Sequence, residues 1–140
     1  MAEARVPSMP QRRGWAKTDV QKIAWVFGVA FILAGILGFI PGITADGKLL
    51  GIFEVDAAEN IIHLGTGALA LIVAGVSAYY SKLYFRVFGV VYAFVTIVGF
   101  VQGTTVLGLF AVNTADNVLH LLIAVVALVI GFGMISSEVR

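Results

Sequence analysis

The chain has 140 residues, 60% of them hydrophobic and 12% charged, with a net charge of +1 at pH 7; its mean hydropathy is +1.01. A soluble domain carries about a quarter charged residues, so this composition sets aside a soluble globular protein and points to the membrane class. Cysteine is absent, which excludes disulfides, thiolate metal sites and thiol catalysis.

Along the chain, residues 1–18 are polar, basic and proline-containing and read as a disordered cytoplasmic tail. Residues 19–140 read as a four-helix transmembrane domain. Within it, Ile23 to Ile40, Ile61 to Tyr80, Val87 to Val101 and Val118 to Ser137 contain no Asp, Glu, Lys or Arg. A helix crosses the bilayer in about 17 to 25 residues. The third stretch is the shortest as bounded but continues without charge through Ala115. In hydrocarbon every backbone group must be bonded internally, which leaves helices or a closed barrel, and runs without polar alternation favour helices. The first stretch exceeds the roughly 7 to 15 apolar residues of a signal peptide, and no small-x-small cleavage site follows it, so it reads as a retained helix.

Charge placement sets the orientation. Arg5, Arg12, Arg13, Lys17 and Lys22 precede the first helix, Lys82 and Arg86 fall between the second and third, and Arg140 ends the chain. Only Lys48 lies on the opposite side. Lys and Arg mark the cytoplasmic face, so both termini are expected inside. The loops between helices one and two and between helices three and four then lie outside. Trp15, Trp25, Tyr79, Tyr80 and Tyr84 gather on the inner side as an aromatic belt.

The chain repeats itself. Leu50-Gly51-Ile52-Phe53 returns as Leu107-Gly108-Leu109-Phe110, and Asn60-Ile61-Ile62-His63-Leu64 as Asn117-Val118-Leu119-His120-Leu121. Further back, Phe27-Gly28-Val29 matches Phe88-Gly89-Val90, and Gly38-Phe39 matches Gly99-Phe100. The first copy carries extra residues around Asp46-Gly47-Lys48. Each copy is helix, outer loop, helix: repeat one at about 22–80 and repeat two at about 84–137. Two-helix copies share one orientation, which gives two tandem parallel-repeat hairpins about a pseudo-twofold along the membrane normal. The loops hold apolar stretches, Leu49 to Phe53 and Val106 to Val112, expected to dip into the interface or pack over the bundle. Small residues recur four apart, at Ala30, Ala34 and Gly38, at Ala70, Ala74 and Ala78, and at Ala127 and Gly131, as close helix packing in lipid requires.

The second and fourth helices open on Asp56-x-x-Glu59 and Asn113-x-x-Asp116, which resemble capping boxes and place acids at the positive helix end. These helices should start near Ala57 and Thr114. The only histidines, His63 and His120, then lie about 10 Å along their helices, each on one face with an asparagine three residues before it, Asn60 or Asn117. Polar groups at such depth are expensive and suggest a role. The leading reading is structural: the Asn–His pairs bond and brace the buried outer loops. Two alternatives use the histidines as ligands of a haem iron or divalent metal, or as a proton or small-solute path. Nucleophile-elbow, zinc-protease, phosphate-loop and dinucleotide motifs are missing, as is a basic aromatic patch, so hydrolysis and nucleic-acid binding are set aside.

Taken together, Gly35-Ile36-Leu37-Gly38-Phe39-Ile40-Pro41-Gly42, Leu50 to Phe53, Asn60 to Leu64 and Val112 to Leu121 resemble the bacterial membrane-protein family known as domain of unknown function 4383. The resemblance runs from about Ile23 to Gly133. It implies a small four-helix protein of a bacterial membrane and no particular reaction. The expectation is therefore an all-α integral protein of the bacterial inner membrane, both termini cytoplasmic, non-enzymatic, structural or accessory, without a required cofactor. Its partner is the bilayer, with a homo-oligomer or larger membrane complex open.

Overall fold

A computed structural model describes residues 18–134. The expected tail, apart from Thr18, and the last part of the fourth predicted span lie outside the described residues. The architecture is all-α: α1 (Asp19–Leu37), α2 (Ala57–Val76), α3 (Ala78–Gln102) and α4 (Thr114–Leu128), the last passing into a π-helical turn at Val129–Gly133. All four are long and apolar enough to cross a membrane, α4 together with its π turn. At 1.5 Å per residue α1 measures about 28 Å and α3 about 37 Å, against a hydrocarbon layer of about 30 Å. Only 28% to 39% of each span is buried within the chain. The remaining faces present Val26, Leu33, Leu69, Ile72, Val90, Ile97, Leu122 and Val126 outward, the surface a helix shows to lipid rather than to water.

Local chemistry sets the helix ends. Thr18 and Gln21 form a reciprocal capping box at the start of α1. Continued past Leu37, α1 would drive the Pro41 ring into the Leu37 carbonyl. The matching position in the second copy is Gln102, and α3 runs on to that residue before stopping at Gly103, whose φ is +81°. The proline is thus one cause of the length difference between α1 and α3.

The connection between α2 and α3 is one residue. Ser77 is extended, ends α2, and accepts the Tyr80 amide at 3.2 Å to begin α3. This corrects the sequence reading, which carried the second helix to Tyr80 and left Lys82 and Arg86 in a loop. Both cations lie inside α3. Lys82 Nζ donates to the Met134 carbonyl, and Arg86 Nε donates to the Gly131 carbonyl at 2.7 Å. Cations are favoured at a helix C-terminus, where carbonyls lack helical partners, so these side chains serve the widened last turn of α4.

The loops expected outside, between α1 and α2 and between α3 and α4, are small antiparallel hairpins, which the sequence reading does not foresee. β1 (Thr44–Ala45), β2 (Lys48–Leu49) and β3 (Phe53–Glu54) form one sheet; β4 (Thr105–Val106) and β5 (Phe110–Ala111) form another. The extra residues of the first copy supply the Asp46-Gly47 turn between β1 and β2. The turns at Leu50-Gly51 and Leu107-Gly108 have φ of +56°, +71°, +52° and +70°. Glycine meets that demand freely, whereas a left-handed leucine costs roughly 1–2 kcal/mol.

Packing is closest between α1 and α2 and between α3 and α4. Gly28 and Gly67 face each other so tightly that a Cβ on either would stand 2.8 or 2.7 Å from the other's carbonyl oxygen. Association of helices in lipid depends on such close approach, because no water is released there. The close contacts at α1 are therefore made by Gly28, Gly35 and the expected Gly38; Ala30 is exposed, and Ala78 belongs to α3. Ala70, Ala74, Ala127 and Gly131 are buried as expected. Between α1 and α3, Phe27, Phe31, Tyr84, Phe85, Phe88 and Tyr92 interlock, mostly edge to face, and each such pair is worth about 0.5–1.5 kcal/mol beyond its contact area. Tyr84, assigned to the aromatic belt, is in this core instead, its hydroxyl donating to the Thr66 carbonyl at 3.2 Å; Tyr79, Tyr80 and Trp25 are exposed.

Candidate functional site

Helices α2 and α4 begin at Ala57 and Thr114, the residues expected from their caps. Asn113 and Asp116 make the full capping box: the Asp116 amide donates to Asn113 Oδ1 at 3.1 Å and the Asn113 amide to Asp116 Oδ2 at 2.7 Å. At α2 only half of the box is present. The Glu59 amide donates to Asp56 Oδ1 at 2.8 Å, while the Glu59 carboxylate, one methylene longer than that of Asp116, turns inward.

The same caps tie each half to the loop of the other. The Ala111 amide of β5 donates to Asp56 Oδ2 at 2.8 Å. In return, the Glu54 amide of β3 donates to Asp116 Oδ2 at 3.1 Å, and Asn113 Nδ2 donates to the Ile52 carbonyl at 2.8 Å. Bonds to ionised acceptors are about twice as strong as neutral ones. Gln102 Oε1 adds a bond from the Leu107 amide at 2.7 Å. The loop bonds thus run through Asp56, Asn113, Asp116 and Gln102.

The Asn–His pairs do something else. Asn60 and Asn117 are each 2% exposed and pack against glycines of the neighbouring helix. A Cβ at Gly38 would fall 1.9 Å from Asn60 Oδ1, and one at Gly99 would fall 2.0 Å from Asn117 Oδ1. The histidines meet aromatic rings edge-on: His63 against Phe31 with centroids 5.3 Å apart, His120 against Tyr92 at 5.4 Å. Phe31 and Tyr92 are matching positions of the sequence repeat, as are Gly38 and Gly99.

Both histidines line one cleft of about 480 Å³ between α2 and α3, bordered at the end near the start of α2 by Phe110 of β5 and His120 of α4. Glu59 lies in the same wall, 3% exposed. His120 Nε2 stands 3.7 Å from Glu59 Oε1, too far for a hydrogen bond but within reach of a charge pair if the imidazole holds a proton. Glu59 Oε2, His63 Nδ1 and His120 Nδ1 are buried without a hydrogen-bond partner, as are Asn60 Oδ1 and Asn117 Oδ1. Native buried polar atoms are nearly all partnered, so this cluster calls for an explanation. No group of three or more His, Asp or Glu side chains stands in metal-holding arrangement among the described residues.

One residue of this cluster escapes the sequence reading, and another is given too small a role. Glu59 stands there as a cap just outside the histidine set, although its position four before His63 puts both on one helix face. Tyr92 passed as one more apolar-span aromatic; its signal was the added hydroxyl relative to Phe31 in the other copy.

Four helices long and apolar enough to cross a membrane suggest a multi-pass helical membrane protein. The chain belongs to a known family: the family model described as Domain of unknown function (DUF4383) matches residues 21–133. No curated protein and no solved structure matches it.

Proposed function

We propose that the chain is a multi-pass protein of a bacterial cytoplasmic membrane, built from two parallel-repeat hairpins with both termini inside, and that it acts as a non-enzymatic structural or accessory component. The observation that carries this reading is the reciprocal bonding of the outer loops, Ala111 to Asp56 and Glu54 to Asp116. It makes the outer end a single braced cap. The paired contacts Phe31–His63 and Tyr92–His120, and Gly38–Asn60 and Gly99–Asn117, support the parallel repeat. In this reading the caps hold the loops, and the asparagines hold the helix pairs. Because the chain lacks cysteine, single replacements test the orientation directly. A thiol at Lys48→Cys should react with an impermeant maleimide added to intact cells, and one at Tyr79→Cys should react only after permeabilisation. Reversed labelling overturns the orientation.

A second reading, that His63 and His120 handle protons, a haem or a divalent metal, is favoured by one observation: Glu59 beside His120, with unpartnered imidazole nitrogens in the cleft. An absorption spectrum and metal analysis of the detergent-purified protein separate the readings. A Soret band or stoichiometric metal, lost in both His63→Ala and His120→Ala, supports this second reading. For the proton case, a flux across proteoliposomes abolished by Glu59→Gln would do the same.

A further inference from the structure

We infer that the cleft between α2 and α3 is a binding site for a neutral, lipid-soluble quinone or quinol, its ring at the Glu59–His63–His120 end and its tail running toward Ser77. The inference rests on the multi-pass reading and goes beyond it. The cleft opens sideways: Leu69, Leu83, Val87 and Val91 line it and are themselves substantially exposed, Val87 at 56%. In a bilayer those residues face acyl chains, so a ligand enters from the lipid phase. Its volume of about 480 Å³ lies within the roughly 300–1,000 Å³ of small-molecule sites.

The chemistry of the two ends differs. At the end near β5, Glu59, His63 and His120 line the cleft, and one carboxyl oxygen and two imidazole nitrogens of theirs are buried just behind its wall without partners. A carboxylate accepts hydrogen bonds, and an imidazole nitrogen donates or accepts according to tautomer. A head that both offers and takes hydrogen bonds satisfies them. A phosphate or carboxylate head does not fit, because no Lys or Arg lines the cleft to pair with it. Beside these groups stand aromatic walls, Phe110 and the stacked Phe88 and Tyr92 with centroids 4.1 Å apart. Aromatic faces favour a flat ring over an aliphatic alcohol. Further in, Leu69, Val73, Leu83 and Val87 line the cleft beside Tyr80 and Tyr84 and suit a hydrocarbon tail.

The test is calorimetric titration of the full chain, in detergent, with decylubiquinone. Saturable one-to-one binding is expected. Val87→Trp, which fills the cleft from an exposed position, should abolish it. Glu59→Gln should weaken it at least about tenfold, or about 1.4 kcal/mol. Each variant is first shown to melt cooperatively. Decanol, with the same tail and no ring, and phosphatidylglycerol, with an anionic head, should not compete. Absence of saturable binding to well-folded protein overturns the inference, as does equal binding by Val87→Trp, or competition by decanol or phosphatidylglycerol. Cysteine labelling that gives the expected orientation while binding fails overturns the ligand site and leaves the multi-pass reading standing.

Discussion

Asn60 and Asn117 are each bound to a glycine they do not touch in sequence. Gly38 and Gly99 are where they are because a methyl group at either would sit almost on the carboxamide oxygen opposite. Overfilling a packed contact costs typically about 1–3 kcal/mol, so Gly38→Ala and Gly99→Ala should lower stability by that amount in thermal or denaturant unfolding in detergent. The penalty is steric, since Gly38 has an ordinary helical φ of −62°. Combining Gly38→Ala with Asn60→Ala should therefore recover part of the loss, giving a non-additive cycle; strict additivity would refute the contact. Gly65 is the internal comparison. A Cβ there meets nothing within 4 Å, and Gly65→Ala should be neutral or gain up to about 1 kcal/mol from helix propensity.

At the scale of elements, the outer cap and the π turn bear separate predictions. Asp116 Oδ2 takes two backbone amides, one from its own cap and one from β3. Asp116→Ala strands both, at about 1–3 kcal/mol for each donor left buried without a partner. Asp116→Asn keeps an oxygen in place and should lose less. Thermal melts of the two variants decide this, and equal losses would point to charge alone. At the opposite end of the bundle, Arg86 holds the Gly131 carbonyl and stacks over Phe132 at 5.2 Å. Arg86→Ala should speed amide hydrogen exchange in Val129–Gly133 while leaving the first turns of α4 unchanged.

These elements also show which features the sequence displayed. The starts of α2 and α4 were readable to the residue, because a short polar side chain three positions before an acid is a local signal and the caps act locally. The α2–α3 boundary was not. Ser77 is one hydroxyl in an apolar run, and the charges that seemed to mark a loop, Lys82 and Arg86, find their carbonyl partners 52 and 45 residues away. Two-residue strands have too few positions to show alternation. The histidines stood out by rarity, but the chemistry beside them is tertiary: Glu59 reaches His120 across the bundle, and no spacing rule encodes that.

Across the whole molecule the balance is between two closely packed hairpins and the looser seam that joins them. Glycine and alanine let α1 meet α2, and α3 meet α4, nearly backbone to backbone. The α2–α3 side instead leaves the cleft, with its polar groups gathered at one end. Close packing and open space thereby fall on different surfaces. Substitutions at Val87 and Leu69 on the cleft rim should change what the protein holds without changing how firmly it folds. Equal melting temperatures for Val87→Trp and the native chain would bear this out.

The loop exchange has a consequence for biogenesis. Asp56 Oδ2 receives its partner from Ala111, 55 residues downstream. A ribosome feeding this chain into the membrane therefore delivers the earlier half with an acceptor still vacant, to be filled only when the later half arrives. Each half is the other's scaffold at birth. Cut at Ser77 and produced as two polypeptides, the pieces should survive proteolysis together and perish apart.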